Sequence, residues 1–296
     1  MIHIKQILCP VDFSDVSQHA LDHAAAIAHW YEARLMVLHV FANVPTMDLP
    51  PLVLEDADRQ RLTTAMRQMT ARVPRDVAVH LSLQEAEYVH DEILAQLAAT
   101  HADLLVLGSH GRSGFQRLFL GSITEKVIRK APCPTLVVPP RAPDIAPDRP
   151  IQFRRILCAV DFSDASLAAL AQALSMAEEA DAHLTLLHVI EIPPELRENR
   201  LPPDFDIDAI HAAAEAEARK RLRDLVPDLA RTYCTIDTAV VEGRAHRQVL
   251  RRAAEEKADL IVMGVHGRGA LDLLLFGSNT HHVISAATCP VLIVRS

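Results

Sequence analysis

The same nonapeptide frame occurs twice with one aspartate at the same place in it. "ILCPVDFSD" spans residues 7–15 and "ILCAVDFSD" residues 156–164, so Asp12 and Asp161 each close a short apolar run. A carboxylate at such a strand end can accept a hydrogen bond from an exocyclic amine or a hydroxyl of a ligand. It can also cap the helix that follows, although Ser14 and Ser163 are better placed for that task. A second repeated feature is glycine. "GSHGRSGFQRLFLGS" (108–122) and "GVHGRGALDLLLFGS" (264–278) both read G-x-x-G, nine residues, then G-S. Three aligned pairs, Gly108/Gly264, Gly111/Gly267 and Gly121/Gly277, use six of the nine glycines in the chain. In each copy the last glycine and its serine, Ser122 or Ser278, precede a helical pattern. The free N–H groups and positive dipole end of that helix suit a phosphate. The bland alternative is a tight loop, with Ser122 and Glu125 as a simple capping box.

Other candidate groups are less well supported. No G-x-x-x-x-G-K-[ST] is present, and no G-x-G-x-x-G opens the first helix. His19 and His23 have the i, i+4 spacing of zinc ligands but no third ligand beside them, which points to a solvated helix face. His281 and His282 follow the second glycine segment as exposed helix residues within possible reach of a phosphate. Arg112 and Arg268, next to the paired His110 and His266, could meet phosphate oxygens or simply stand in an exposed loop. No nucleophile, base and orienting acid share repeat positions.

The elements that must position these residues form a duplicated unit. Asp161 lies 149 positions after Asp12, and "LLHV" (186–189) follows "VLHV" (37–40) at the same offset. The glycine segments and the closing runs "CPTLVV" (133–138) and "CPVLIV" (289–294) are 156 apart, so the second copy has gained seven residues in between. A period this long is a domain duplication and not a solenoid. The seam "PPRAPDIAPDRPIQF" (139–153) carries five prolines and no apolar period, as a semi-rigid linker does. The expected organisation is a first domain over 1–140, a linker over 141–153 and a second domain over 154–296. Apolar strand-like runs alternate with helical periods in each unit. The expected fold class is therefore α/β: two tandem open, mostly parallel five-stranded sheets with helices on both faces. In such sheets ligands bind outside the carboxyl ends of the strands where strand order reverses, and the aspartates and glycines both fall at that edge.

Composition sets limits. Of 296 residues, 50% are hydrophobic and 23% charged, enough for two buried cores. A net charge of −8 argues against nucleic acid as a partner, since phosphate backbones require a basic face. It does not argue against a small anion held by backbone amides. No apolar run spans a bilayer, and the N-terminus carries no export signal. Five dispersed cysteines without C-x-x-C read as buried thiols, which places the chain in the cytoplasm.

These motifs, in the same order twice over, resemble the universal stress protein family. The likeness covers everything but the linker and the variable loops, as in a tandem two-domain member. It implies an adenine-nucleotide alpha-hydrolase-like fold that binds ATP or a related adenine nucleotide, which Mg2+ can accompany. By position, the first domain would offer Pro10, Val11, Asp12, Val40, Gly108, Gly111, Arg112, Gly121 and Ser122. The second would offer Ala159, Val160, Asp161, Val189, Gly243, Gly264, Gly267, Arg268, Gly277 and Ser278. Members usually carry glycine at the place of Gly243, beside the ribose; the first domain has Glu87 there, which predicts tighter nucleotide binding in the second. The resemblance implies a nucleotide-responsive stress sensor or regulator. A weak ATPase on the same site, or an interaction protein with vestigial sites, are the alternatives. The apolar closing strands predict an intramolecular pseudo-dimer of the two domains, with a further homodimer of chains open.

Overall fold

The computed structural model describes residues 3–43, 54–111, 120–148, 151, 153–191, 207–265 and 277–295. The first half runs β1 (Gln6–Pro10), α1 (Asp15–Tyr31), β2 (Arg34–Ala42), α2 (Asp56–Met69), β3 (Val79–Ala86), α3 (Val89–Thr100), β4 (Leu104–Gly108), α4 (Ser122–Lys130) and β5 (Thr135–Val138). The second runs β6 (Arg155–Ala159), α5 (Asp164–Ala180), β7 (His183–Ile190), α6 (Ile207–Asp224), a short α7 (Ala230–Tyr233), β8 (Thr235–Glu242), α8 (Ala245–Glu256), β9 (Leu260–Gly264), α9 (Ser278–Ala286) and β10 (Val291–Val294).

Within each half all strand pairs are parallel. The strand order is β3-β2-β1-β4-β5-β10-β9-β6-β7-β8, so the two five-stranded sheets are continuous. Their junction is antiparallel, Val291 facing Val137 and Leu292 facing Leu136. Parallel strands need both faces covered, and the apolar runs alternate accordingly. Ile7 and Cys9 point into a core under α1 and α5 that spans both halves. Leu8 points to the opposite face, where Ile93, Leu97 and Val127 of α3 and α4 cover it. Each such side chain, fully buried, contributes roughly 1.5–3 kcal/mol.

The seam docks on the core: Ala142 and Phe153 are buried, Phe153 at 1% exposure within the shared core. His19 Nε2 lies 3.1 Å from the Pro143 carbonyl, so the seam is tied to α1. One expectation is corrected: His19 and His23 do not lie on a solvated face. His23 is 1% exposed, because α1 packs against β1, β2, β4 and β5 and turns that side inward. Its Nδ1 donates to the His19 carbonyl at 2.9 Å. Among the described residues no three potential ligands form a metal site, and no helix is long and apolar enough to cross a membrane. The five cysteines are free thiols; burial pushes Cys133 up to about 11 and Cys158 and Cys289 up to about 12.

Burial also holds His23 neutral, lowering its pKa to about 4 from the usual 6.5. The folded state disfavours the imidazolium, so this contribution is complete above about 6.5 and is lost as pH falls toward 4. By linkage the loss amounts to ~3 kcal/mol. Urea midpoints measured from pH 7 to pH 4.5 should fall more steeply for the wild type than for His23→Gln; parallel curves would remove the assignment.

Candidate functional site

In each half the chain order reverses between the first and fourth strands, β1/β4 and β6/β9. The crevice at such a switch point lies at the carboxyl edge. Asp12 leaves β1 on one side of it and Gly108 ends β4 on the other, as Asp161 and Gly264 do in the repeat.

The aspartate is held by the cap of the next helix. Asp12 Oδ1 accepts from the Ser14 N–H at 3.1 Å and the Ser14 hydroxyl at 2.6 Å. The Ser14 hydroxyl in turn accepts from the Ser17 N–H, making Ser14 the N-cap of α1. The repeat copies this: Asp161 Oδ1 accepts from Ser163 N–H at 3.0 Å and Ser163 Oγ at 2.6 Å. Cap and carboxylate thus act together; serine caps the helix and aspartate orients the serine. Phe13 and Phe162 both take φ of 64°, a left-handed conformation unusual for a bulky residue.

A buried histidine braces the turn from the second strand. His39 Nδ1 lies 2.7 Å from the Val11 carbonyl, and His188 Nδ1 lies 2.7 Å from the Val160 carbonyl. A carbonyl only accepts, so Nδ1 carries the proton in both. The same rings contact Phe13 and Phe162 at centroid distances of 4.4 and 4.7 Å. Both histidines stand in the repeated runs VLHV and LLHV, whose spacing by itself gives them no role.

The glycine segment returns to the aspartate. A Cβ at Gly111 would lie 2.6 Å from Asp12 Oδ2, so the loop backbone touches the carboxylate. A Cβ at Gly264 would meet the backbone of Ala165 and Ser166 at 2.8 and 2.9 Å, which requires glycine where β9 passes the start of α5. The helix after the loop is tied back to the strand end: Thr124 donates to the Gly108 carbonyl and Thr280 to the Gly264 carbonyl, at 3.0 and 3.2 Å. The Ser122–Glu125 capping box, the alternative reading of this segment, does not form. Gly121 and Gly277 are the N-caps, with no side-chain cap, and Glu125 pairs instead with Arg129 at 2.6 Å. Ser122 and Ser278 occupy the first helical positions and are exposed. In α9 the first backbone bond runs from His281 to Gly277, which leaves the N–H groups of 278–280 without an intrahelical acceptor.

In the second half these parts line an open cavity of about 950 Å³. Ala159, Val160, Asp161, Val189, Gly264, Gly277 and Ser278 all line it. Pro10, Val11, Asp12, Val40, Gly108, Gly111, Gly121 and Ser122 hold the matching positions in the first half. Arg112, Gly267 and Arg268 lie outside the described residues. Gly243 stands just outside the cavity wall; its N–H donates to the carbonyl of Ile190, which does line it. Helix α6 supplies a wall that sequence reasoning missed, through Ala214, Glu217, Ala218 and Arg221. The Arg221 guanidinium stacks 3.9 Å over the Phe162 ring. Residue type alone carried no signal for this, since α6 lies in the stretch where the two copies differ in length. His246 and Asn279, also lining, were likewise missed.

A family model for the universal stress protein family matches residues 3–139 and again 152–295. The chain belongs to the universal stress protein family, as a tandem member. It is 28% identical to Universal stress protein Rv2005c of Mycobacterium tuberculosis over 98% of this chain and 96% of the relative. Universal stress protein YxiE of Bacillus subtilis is 33% identical over 48% of this chain and 99% of its own length. A solved universal stress protein from Archaeoglobus fulgidus shares the fold at a TM-score of 0.63, with 19% identity and 98% of both chains covered.

The halves differ most sharply at the turn from the third strand. Gly243 takes φ of +142°, and a Cβ there would lie 2.4 Å from Gln248 Nε2. Glu87, at the matching position, is exposed and has no positive φ. Gly243→Ala should therefore destabilise the protein by about 1–3 kcal/mol. Glu87→Ala should change stability by less than ~0.5 kcal/mol. Urea unfolding of both variants checks the contrast.

Proposed function

We propose that this chain binds ATP or a related adenine nucleotide in its second half and acts as a nucleotide-responsive stress regulator. The supporting observation is a cavity lined together by Asp161, Val189, Gly264, Gly277 and Ser278 at the switch point. Its volume suits a ligand of nucleotide size. Its two ends also differ in chemistry as a nucleotide does. Asp161 would accept from an exocyclic amine or ribose hydroxyl. The open N–H groups at the start of α9 and the Ser278 hydroxyl would hold phosphates, with Gly267 and Arg268 continuing the same segment. Any Mg2+ would arrive with the phosphates, and no dedicated metal donor set is proposed.

The preference for the second half rests on what replaces its residues in the first. Glu87 and Tyr88 stand where the second half has Gly243 and Arg244. Glu87 adds bulk and a negative charge at a turn where the second half has a glycine. The first half keeps Pro10, Val11, Asp12, Val40, Gly108, Gly111, Arg112, Gly121 and Ser122, so it is proposed as a weaker site. We further propose that β5 and β10 make the halves an intramolecular pseudo-dimer, through which occupancy of one site is felt by the other.

The shared core makes the full chain the right material for the test. Calorimetric titration with ATP should show tight binding that Asp161→Ala weakens roughly tenfold or more, the scale of a lost hydrogen bond. Asp12→Ala should leave that phase unchanged. Equal effects of the two variants would overturn the preference, and no binding by the wild type would overturn the nucleotide reading.

A further inference from the structure

The start of α9 carries an asymmetry that the glycine motif does not explain. Asn279 follows Ser278 in the first turn and lines the cavity. Its Oδ1 accepts from the His246 backbone N–H at 3.3 Å and lies 3.0 Å from His246 Nδ1. A backbone N–H can only donate, so the atom facing it must be the amide oxygen, and the orientation of the amide follows from chemistry. The Asn279 NH2 group is thereby turned away from α8 as a donor. His246 Nδ1 must then carry its proton. The His246 ring is held further by stacking on His282 at 4.6 Å, and His282 is itself anchored to the Ser278 carbonyl at 2.6 Å. The first half has Ile123 at the position of Asn279, and Ile123 is 43% exposed. An exposed isoleucine at the matching helix start offers a phosphate nothing and hinders its approach.

We infer that the side-chain amide of Asn279 is a specificity-determining donor to the phosphate end of the ligand in the second half, with His246 as its positioning residue. This rests on the nucleotide reading above and adds to it the group that separates a phosphorylated ligand from its nucleoside. The competing structural role is that Asn279 only caps α8, whose own N-cap, Arg244, makes no side-chain cap.

Aspartate separates the two. Asn279→Asp keeps an oxygen for the His246 N–H and would cap α8 at least as well, but it replaces the donor with a negative charge. The test is calorimetric titration of the full chain with ATP and with adenosine, for wild type, Asn279→Asp, Asn279→Ile and His246→Ala, with urea unfolding as a control. The expected result is that Asn279→Asp and Asn279→Ile lose roughly tenfold to a hundredfold in ATP affinity with adenosine unchanged, the range for a hydrogen bond to a charged group. Asn279→Asp should be the weaker binder and should unfold no earlier than wild type. His246→Ala should lower the ATP-to-adenosine ratio less, since its backbone N–H remains. If wild type binds ATP and Asn279→Asp binds it equally well, the inference falls and the nucleotide reading stands. If wild type binds neither compound, both fall.

Discussion

The carboxylates of Asp12 and Asp161 each spend one oxygen on the serine that caps the following helix, through both its N–H and its hydroxyl. That pair of bonds sets the geometry of the whole strand-to-helix turn. It accompanies a left-handed phenylalanine at Phe13 and Phe162, which costs on the order of 1–3 kcal/mol. The cost is met by packing that ring on a histidine, whose Nδ1 also holds the valine carbonyl before the aspartate. Strand, turn, helix cap and second strand are therefore one hydrogen-bonded assembly. In the first half, Asp12 Oδ2 is pressed against Gly111, so the same carboxylate registers the glycine loop as well. Strain preserved in both copies with matching distances is what a positioned site requires.

On this common frame the two halves carry different residues at and around the crevice. The second half presents Gly243, Arg244 and Asn279 where the first presents Glu87, Tyr88 and Ile123. It also adds α6, with Arg221 over Phe162. The bracing bonds match in the two copies, while the residues around the crevice differ. Those bonds tolerate little, because each buried donor or acceptor left unpaired costs about 1–3 kcal/mol.

The halves are not independent bodies. Antiparallel pairing of β5 with β10 covers two apolar edges that would otherwise invite association with other chains. Beneath them the core of α1 and α5 is continuous, and Phe153 of the seam is buried inside it. Separating the domains would expose Leu136, Val137, Val291 and Leu292 together.

Local pattern was enough to read most of this architecture. The twice-written aspartate, the alternation of apolar runs with helical periods and the spacing of the glycines are short-range signals, and each reports backbone chemistry within a few residues. They placed the strands, the helices and the edge at which Asp12, Asp161, Gly108 and Gly264 meet. The burial of His23, the docking of the seam, the failure of the Ser122–Glu125 box and the contributions of Arg221, His246 and Asn279 were decided only by tertiary structure. Each depends on a partner distant in the chain: His246 meets Asn279 33 residues away, and the seam reaches His19 across 124. Residue type and spacing say what a side chain can do, but only packing determines which group stands opposite it.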